Sequence, residues 1–201
     1  MNKYAALLLA AVIGYVLGSV STGILYSRAL GRDIRTQGSK NSGATNMTRI
    51  HGLKKGGLTF LGDCLKGVLA ALIGKWLGGQ TGAVVGGTCA VLGHMWPIFF
   101  GFRGGKGVAT CIGIGFVTYP LFGGLAAIAG VAVMLISKFV SLGSMAGLTA
   151  FAIGVTVCYG IWPVGLWGIV LAALVIWRHR SNIQRLLKGT ENKIGKPKAS
   201  K

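Results

Sequence analysis

Three polar segments interrupt an otherwise apolar chain, and their residues are of the kinds that hold anions. The first, GRDIRTQGSKNSGATNMTR, runs from Gly31 to Arg49. Within it, Gly38-Ser39-Lys40-Asn41-Ser42-Gly43 offers hydroxyls, an amide and backbone N–H groups, a concave set of donors suited to an anion. Asn46 follows, and Arg49 adds a planar fork that matches two phosphate oxygens. The same composition also suits a solvated loop held by Asx and Ser turns. The second segment, GFRGGKGVAT (101–110), sets one lysine among four glycines. It is not a Walker nucleotide loop: Phe100 stands where the first glycine of that pattern belongs, and Gly107 follows Lys106 in place of Ser or Thr. What remains is the N–H groups of Gly104 and Gly105, the Lys106 ammonium, and a helix start near Gly107 whose dipole favours an anion. A short turn carrying positive charge is the simpler alternative. The third segment, RHRSNIQRLLKGTENKIG (178–195), has helical spacing: His179, Asn182 and Arg185 or Gln184 share roughly one face. That face could point toward the other segments, or the helix could lie as a basic amphipath on lipid headgroups.

Other residues leave the chemistry open in the same way. His94, in an apolar setting before the glycine-rich stretch, is a base or a hydrogen-bonded structural histidine. Asp63 and Lys66 lie three apart in an apolar run, where an ion pair limits the cost of burying either charge. Ser141 and Ser144 stand near the start of a helix beside Lys138, as a cap or as phosphate donors. The four cysteines lie in apolar runs with no metal-ligand spacing, so neither zinc nor redox chemistry is expected. There is no carboxylate pair and no Ser-His-Asp set. An enzyme built from this inventory would position phosphates and let a reactive substrate supply the driving force.

The elements that must position these residues are membrane helices. The 201-residue chain is 52% hydrophobic and 12% charged, about half the charged fraction of an average soluble domain. Its apolar runs predict an all-α integral membrane protein with seven transmembrane helices, over 4–27, 57–77, 81–100, 107–119, 121–137, 144–160 and 163–178. The fourth is short and is read as a partial or tilted helix. The net charge of +18 comes from 21 Lys and Arg. With the N-terminus outside, all of these except Lys3, Lys66 and Lys75 fall on the cytoplasmic side, as the positive-inside rule requires. This places the C-terminus and all three polar segments at the cytoplasmic face and leaves no basic-aromatic surface for nucleic acid. Gly14 and Gly18, Gly82 and Gly86, and Gly143 and Gly147 are small-residue pairs for close helix packing. The organisation expected is one membrane domain over 1–195, followed by a basic, disordered tail over 196–201.

Taken together, GSKNSGATNMTR (38–49), DCLKG (63–67), GHMWPIFFGFRGGKGVAT (93–110) and HRSNIQRLLKGTENKI (179–194) resemble the bacterial acyl-phosphate:glycerol-3-phosphate acyltransferase family, PlsY type. The likeness runs along nearly the whole chain. It implies an enzyme of the bacterial cytoplasmic (inner) membrane that uses acyl phosphate, glycerol 3-phosphate and the surrounding lipid. It needs no cofactor, no metal and no obligatory protein partner. The product would be 1-acyl-glycerol 3-phosphate, at the start of phospholipid synthesis. Carried over by position, Ser39, Asn41, Gly43, Asn46 and Arg49 fall in the family's first motif. Lys106, with Gly104 and Gly105, falls in its second, and His179 and Asn182 fall in its third. Ser144 matches a serine at the inner end of a later helix. Ser39, Lys106 and His179 are the expected catalytic residues, and the others bind phosphate or substrate. Which phosphate each residue holds stays open, as does whether the proton passes to substrate phosphate or to His179. The sequence departs from the family twice. Residues 18–23 read GSVSTG where a proline is common, and Lys40 stands where glycine is usual.

A transporter for a small anion is the competing class, since glycine-broken helices with basic residues would serve it too. It would need polar residues at mid-membrane and access from both sides. Here only Asp63 and Lys66 are embedded, no inverted repeat is visible, and the other polar groups gather at one face.

Overall fold

The computed structural model describes residues 2–194 and is helical, with no strand among the described residues. The basic tail expected over 196–201 lies outside them. The chain forms two compact units, one through Pro120 and one from Leu121.

In the first unit, α1 (Lys3–Ser19) starts at Asn2, whose side chain accepts from the Tyr4 N–H at 3.0 Å. Besides Ser19 at its end, α1 buries Ala6, Ala10, Gly14 and Gly18, a four-residue repeat that lines one face, while Leu8, Val12 and Val16 are exposed. A soluble helix buries its large apolar residues. This one buries its smallest, the pattern of helices standing in lipid. The partner is α4 (Leu53–Met95), which breaks at Gly78 and Gly79, the latter at φ +62°, a backbone region that L side chains avoid. The break folds 53–77 against 80–95, and a Cβ at Gly74 would overlap the Gly82 carbonyl oxygen. Cβ atoms at Gly14 and Gly18 would likewise overlap the carbonyls of Gly86 and Ala90. Backbone therefore meets backbone at each contact.

Between α1 and α2 (Thr22–Ala29) the helix stops at Val20 and Ser21, both extended. The bend stands without the family's proline, and the Val20 carbonyl accepts instead from Lys66 Nζ at 2.9 Å. The apolar run expected to reach residue 100 leaves α4 at Met95, because Trp96 precedes Pro97 and is held out of the helical region. A short turn, Ile98–Phe100, follows. Then comes α5 (Val108–Thr118), whose 11 residues span about 16 Å at 1.5 Å per residue. Gln80 Nε2 donates to its terminal Thr118 carbonyl at 2.7 Å. The remaining helix of this unit, α3 (Ala44–His51), packs on the start of α4, with Thr48 against Gly56.

The second unit holds α6 (Pro120–Ser137), α7 (Val140–Tyr159), α8 (Leu166–Arg178) and α9 (Arg180–Leu187). Lys138, at φ +63°, turns α6 into α7, and the two meet at Gly130, Gly143 and Gly147. Phe151 and Trp167 join α7 to α8 edge-to-face at 5.7 Å.

Five stretches are long and apolar enough to cross a membrane: Lys3–Ala29, Leu53–Phe100, Pro120–Ser137, Val140–Tyr159 and Ile161–Arg178. The second has 48 residues and contains the Gly78–Gly79 break, and α5 is a shorter apolar helix.

The glycine contacts make a paired test. Gly18→Ala must push α1 from α4 and should cost about 1–3 kcal/mol, as overpacking does. Gly57, helical with open space around it, should accept alanine with no loss, or with a gain of up to about 1 kcal/mol. Thermal unfolding of both variants in detergent checks this; equal midpoints would refute the contact's importance.

Candidate active site

The first polar segment folds around one side chain. Asn46, on α3, is 1% exposed. Its Oδ1 accepts from the Ser39 N–H at 2.9 Å, and its Nδ2 donates to the carbonyls of Ile34 at 3.2 Å, Gln37 at 3.0 Å and Asn41 at 2.9 Å. With its amide spent on backbone and closed from solvent, Asn46 organises the loop and is not placed to touch a ligand. The expected substrate-binding role would have to act through the loop that Asn46 holds. Asn41 Oδ1 takes the Gly43 N–H at 2.9 Å, an Asx turn that starts α3, so the Gly43 donor is occupied as well. Ser39 is exposed on the loop, and Arg49 is exposed on the last turn of α3. Lys40 adopts φ +58°, which accounts for the glycine usual at this position.

Beneath the loop, Ile24, Ile34 and Met47 are fully buried, with Tyr26 and Phe100 packed on them. Asp33 holds Arg35 through Nη2 at 2.7 Å, and Arg35 Nη1 donates to the Phe100 carbonyl at 2.6 Å. The Arg35 hydrogen bonds keep the Asp33 carboxyl below the usual carboxylate range. The first segment is thereby pinned to the start of the second.

The second segment is the end-cap of α4. Gly104 N–H donates to the Met95 carbonyl at 3.2 Å and Gly105 N–H to the His94 carbonyl at 3.0 Å. These satisfy carbonyls that a helix C-terminus leaves open. The two N–H groups expected to cradle an anion are therefore turned to the helix, and the glycines serve by allowing close approach. Tyr15 Oη also holds the Trp96 carbonyl, at 2.7 Å. Lys106 follows, half-buried, before α5 begins at Gly107 with φ +87°.

In the second unit a residue not singled out from sequence takes the centre. Glu191 is 7% exposed. Its Oε1 accepts from Asn182 Nδ2 at 2.8 Å and Ser141 Oγ at 3.3 Å, and its Oε2 from Arg185 Nε at 2.7 Å. The Asn182–Arg185 face expected on α9 is real, and it turns toward this carboxylate. The available signal was that Glu191 is one of three acids in the chain. His179 sits buried between α8 and α9, its Nδ1 2.8 Å from the Val175 carbonyl. That contact makes Nδ1 the donor and leaves Nε2 the basic nitrogen. Ser144 Oγ donates back to the Val140 carbonyl at 2.8 Å. The residues read from sequence are thus divided between the two units: Ser39, Asn41, Gly43, Asn46, Arg49 and Lys106 with its glycines in the first, and Ser144, His179 and Asn182 in the second.

A family described as glycerol-3-phosphate acyltransferase matches residues 8–189, a stretch that contains every one of these side chains. The chain belongs to the glycerol-3-phosphate acyltransferase family. A protein of that name from Geobacter metallireducens is 50% identical over 181 residues, covering 90% of this chain and 93% of its own length. One from Thermoanaerobacter sp. (strain X514) is 43% identical over 188 residues, covering 93% and 95%. Two crystal structures of PlsY (YgiH), described as an integral membrane glycerol 3-phosphate acyltransferase, superpose on the chain at 39% identity. The glycerol 3-phosphate form has a TM-score of 0.89 and covers 94% of this chain and 96% of that one. The lysophosphatidic acid form has a TM-score of 0.84 and covers 94% and 95%. As a member of the family, the chain is an integral membrane protein.

Two substitutions in the first loop should move stability in opposite directions. Asn46→Ala strands four backbone partners and should cost about 3 kcal/mol. Lys40→Gly removes a side chain from a left-handed backbone and should gain about 1 kcal/mol. Thermal midpoints in detergent, read side by side, check both signs.

Proposed function

We propose that the chain transfers a fatty acyl group from acyl phosphate to the 1-hydroxyl of glycerol 3-phosphate, in the bacterial inner membrane, at the start of phospholipid synthesis. The observation that carries this is the family match over residues 8–189, which takes in the first two anion-suited segments and most of the third. The donor rests on the sequence resemblance and on chemistry. An acyl phosphate is a mixed anhydride with a good leaving group, so its attack by an alcohol needs alignment and charge neutralisation more than a strong base. The inventory fits that demand, being rich in phosphate partners and poor in acid–base groups.

The transfer is direct. The 1-hydroxyl oxygen bonds to the acyl carbon, the carbon–oxygen bond to phosphate breaks, and inorganic phosphate departs with the electron pair. The hydroxyl proton goes to that phosphate or to Nε2 of His179. Ser39, Lys106 and Ser144 would hold one phosphate, and Arg49, His179 and Asn182 the other or the glycerol hydroxyls. Asn41 completes the first group, and Gly43, Gly104 and Gly105 shape the turns that carry it. The reaction uses no cofactor or metal, and the acyl chain enters from the bilayer.

The test is purified protein given palmitoyl phosphate and glycerol 3-phosphate, with phosphate release and lysophosphatidate formation both measured. Turnover is expected with palmitoyl phosphate and not with palmitoyl-CoA; the reverse would exclude this donor. Lys106→Ala should keep its thermal midpoint and lose at least about 100-fold in kcat, the scale of removing one charge-stabilising donor. Near-normal turnover in that variant would remove Lys106 from the mechanism.

The proposed topology has seven crossings, the N-terminus outside and the active site at the cytoplasmic face. In a background free of other reactive cysteines, a membrane-impermeant thiol reagent added to intact cells should label Gly79→Cys and spare Lys54→Cys. Labelling of both, or the opposite pattern, would reverse or discard this orientation.

A further inference from the structure

The first unit buries a group of charges that the proposed reaction does not use. Asp63 is 1% exposed, Lys66 6% and His94 3%. Lys66 Nζ stands 2.9 Å from Asp63 Oδ1, and His94 Nδ1 stands 3.5 Å from the same oxygen. Lys66 also donates to the Val20 carbonyl at the break between α1 and α2. Charged side chains at membrane depth are costly, and a buried ion pair is seldom more stabilising than apolar residues of the same size. Such a group is therefore better explained by what it holds in place than by stability.

What it holds is visible at the other side of the imidazole. A Cβ at Gly105 would overlap Nε2 of His94, and its Cε1 and Cδ2 lie just behind. The Gly105 backbone therefore rests on the edge of the ring. Its N–H is bonded to the carbonyl of the same histidine, and the neighbouring Gly104 N–H to that of Met95. Lys106 is the next residue. His94 thus shapes the turn twice, by its carbonyl and by its ring. The ring's far nitrogen stands 3.5 Å from Asp63, which is itself paired with Lys66.

We propose that His94, Asp63 and Lys66 are positioning residues for the Gly104-Gly105-Lys106 turn. The ring is a floor that sets the height of the Gly105 backbone, and the buried ion pair fixes the ring. None of the three touches substrate, for all are closed from solvent. Their effect reaches the reaction through the placement of Lys106 and of the phosphate it receives. This rests on the acyltransferase reading and deepens it.

The ring contact can be tested by a double-substitution cycle. Gly105→Ala alone drives a methyl into the ring and should raise the KM of one phosphate substrate at least about tenfold. The KM of the other should stay within about twofold, since only one phosphate sits on this turn. His94→Ala alone removes the floor and should raise the same KM. The double variant should be no worse than the worse single, because the methyl then fills space the ring has left. A second variant, Asp63→Asn with Lys66→Met, removes both charges together and so strands neither. It should remain folded, by thermal midpoint and gel filtration, and show the same one-substrate KM rise. A purely structural role would instead lower the folded fraction and leave both KM values of the folded enzyme unchanged, and that result overturns the proposal. Multiplying KM effects in the double variant would overturn the ring contact. Wild-type turnover with no KM split sinks the positioning role and leaves the acyltransferase standing. Absent wild-type turnover sinks both.

Discussion

Helices that stand in lipid gain nothing by hiding leucine from it, and every feature of the first unit follows from that constraint. With no hydrophobic force drawing helix to helix, association rests on close van der Waals contact and on the few polar bonds available. The chain meets the first need with Ala6, Ala10, Gly14 and Gly18 on one face of α1 and with Gly74, Gly82 and Gly86 on the folded-back α4. These contacts let backbone touch backbone. They also fix the height of each helix against its neighbour, because a carbonyl oxygen fits only where a side chain is missing. The loops that carry the candidate site inherit this register.

The second need is met sparingly, and several of the polar bonds close a gap in the backbone. Lys66 answers the Val20 carbonyl where α1 gives way to α2, and Gln80 answers the Thr118 carbonyl where α5 ends. Gly104 and Gly105 answer the carbonyls that α4 leaves open at its last turn. An unbonded carbonyl away from water is expensive, so helix ends are where polar residues collect. The candidate residues stand on such ends within each unit: the cap of α4, the start of α5 and the start of α3 in the first, and the junction of α8 with α9 in the second.

This explains which parts could be read from sequence. Apolar runs and the Gly78–Gly79 punctuation carry strong one-dimensional signals, and the helices fall close to where those signals put them. The third expected span overruns because Ile98-Phe99-Phe100 is as apolar as the helix before it, while Pro97 ends α4 at Met95. The site residues were legible as types, since Ser, Asn, Lys and Gly crowd into three segments. Their division of labour was not. Whether an amide faces a ligand or its own loop depends on where four backbone groups converge, and Asn46 shows the second outcome. Glu191 was hidden for a related reason. A single acid among many bases looks like part of a solvated surface until the fold brings Ser141 back to meet it.

The shortness of α5 has a consequence for the bilayer itself. A hydrocarbon core is about 30 Å thick, and eleven residues of helix fill about half of it. In the proposed seven-crossing topology, lipid beside such a helix would thin, or headgroups and water would follow the chain inward, at a cost of fractions of a kcal/mol per ångström. The residues just ahead of α5 are the glycines and Lys106, well suited to a wet depression. A dimpled leaflet there would let a water-borne phosphate and a lipid-borne acyl chain come within bonding distance while each stays in its own solvent.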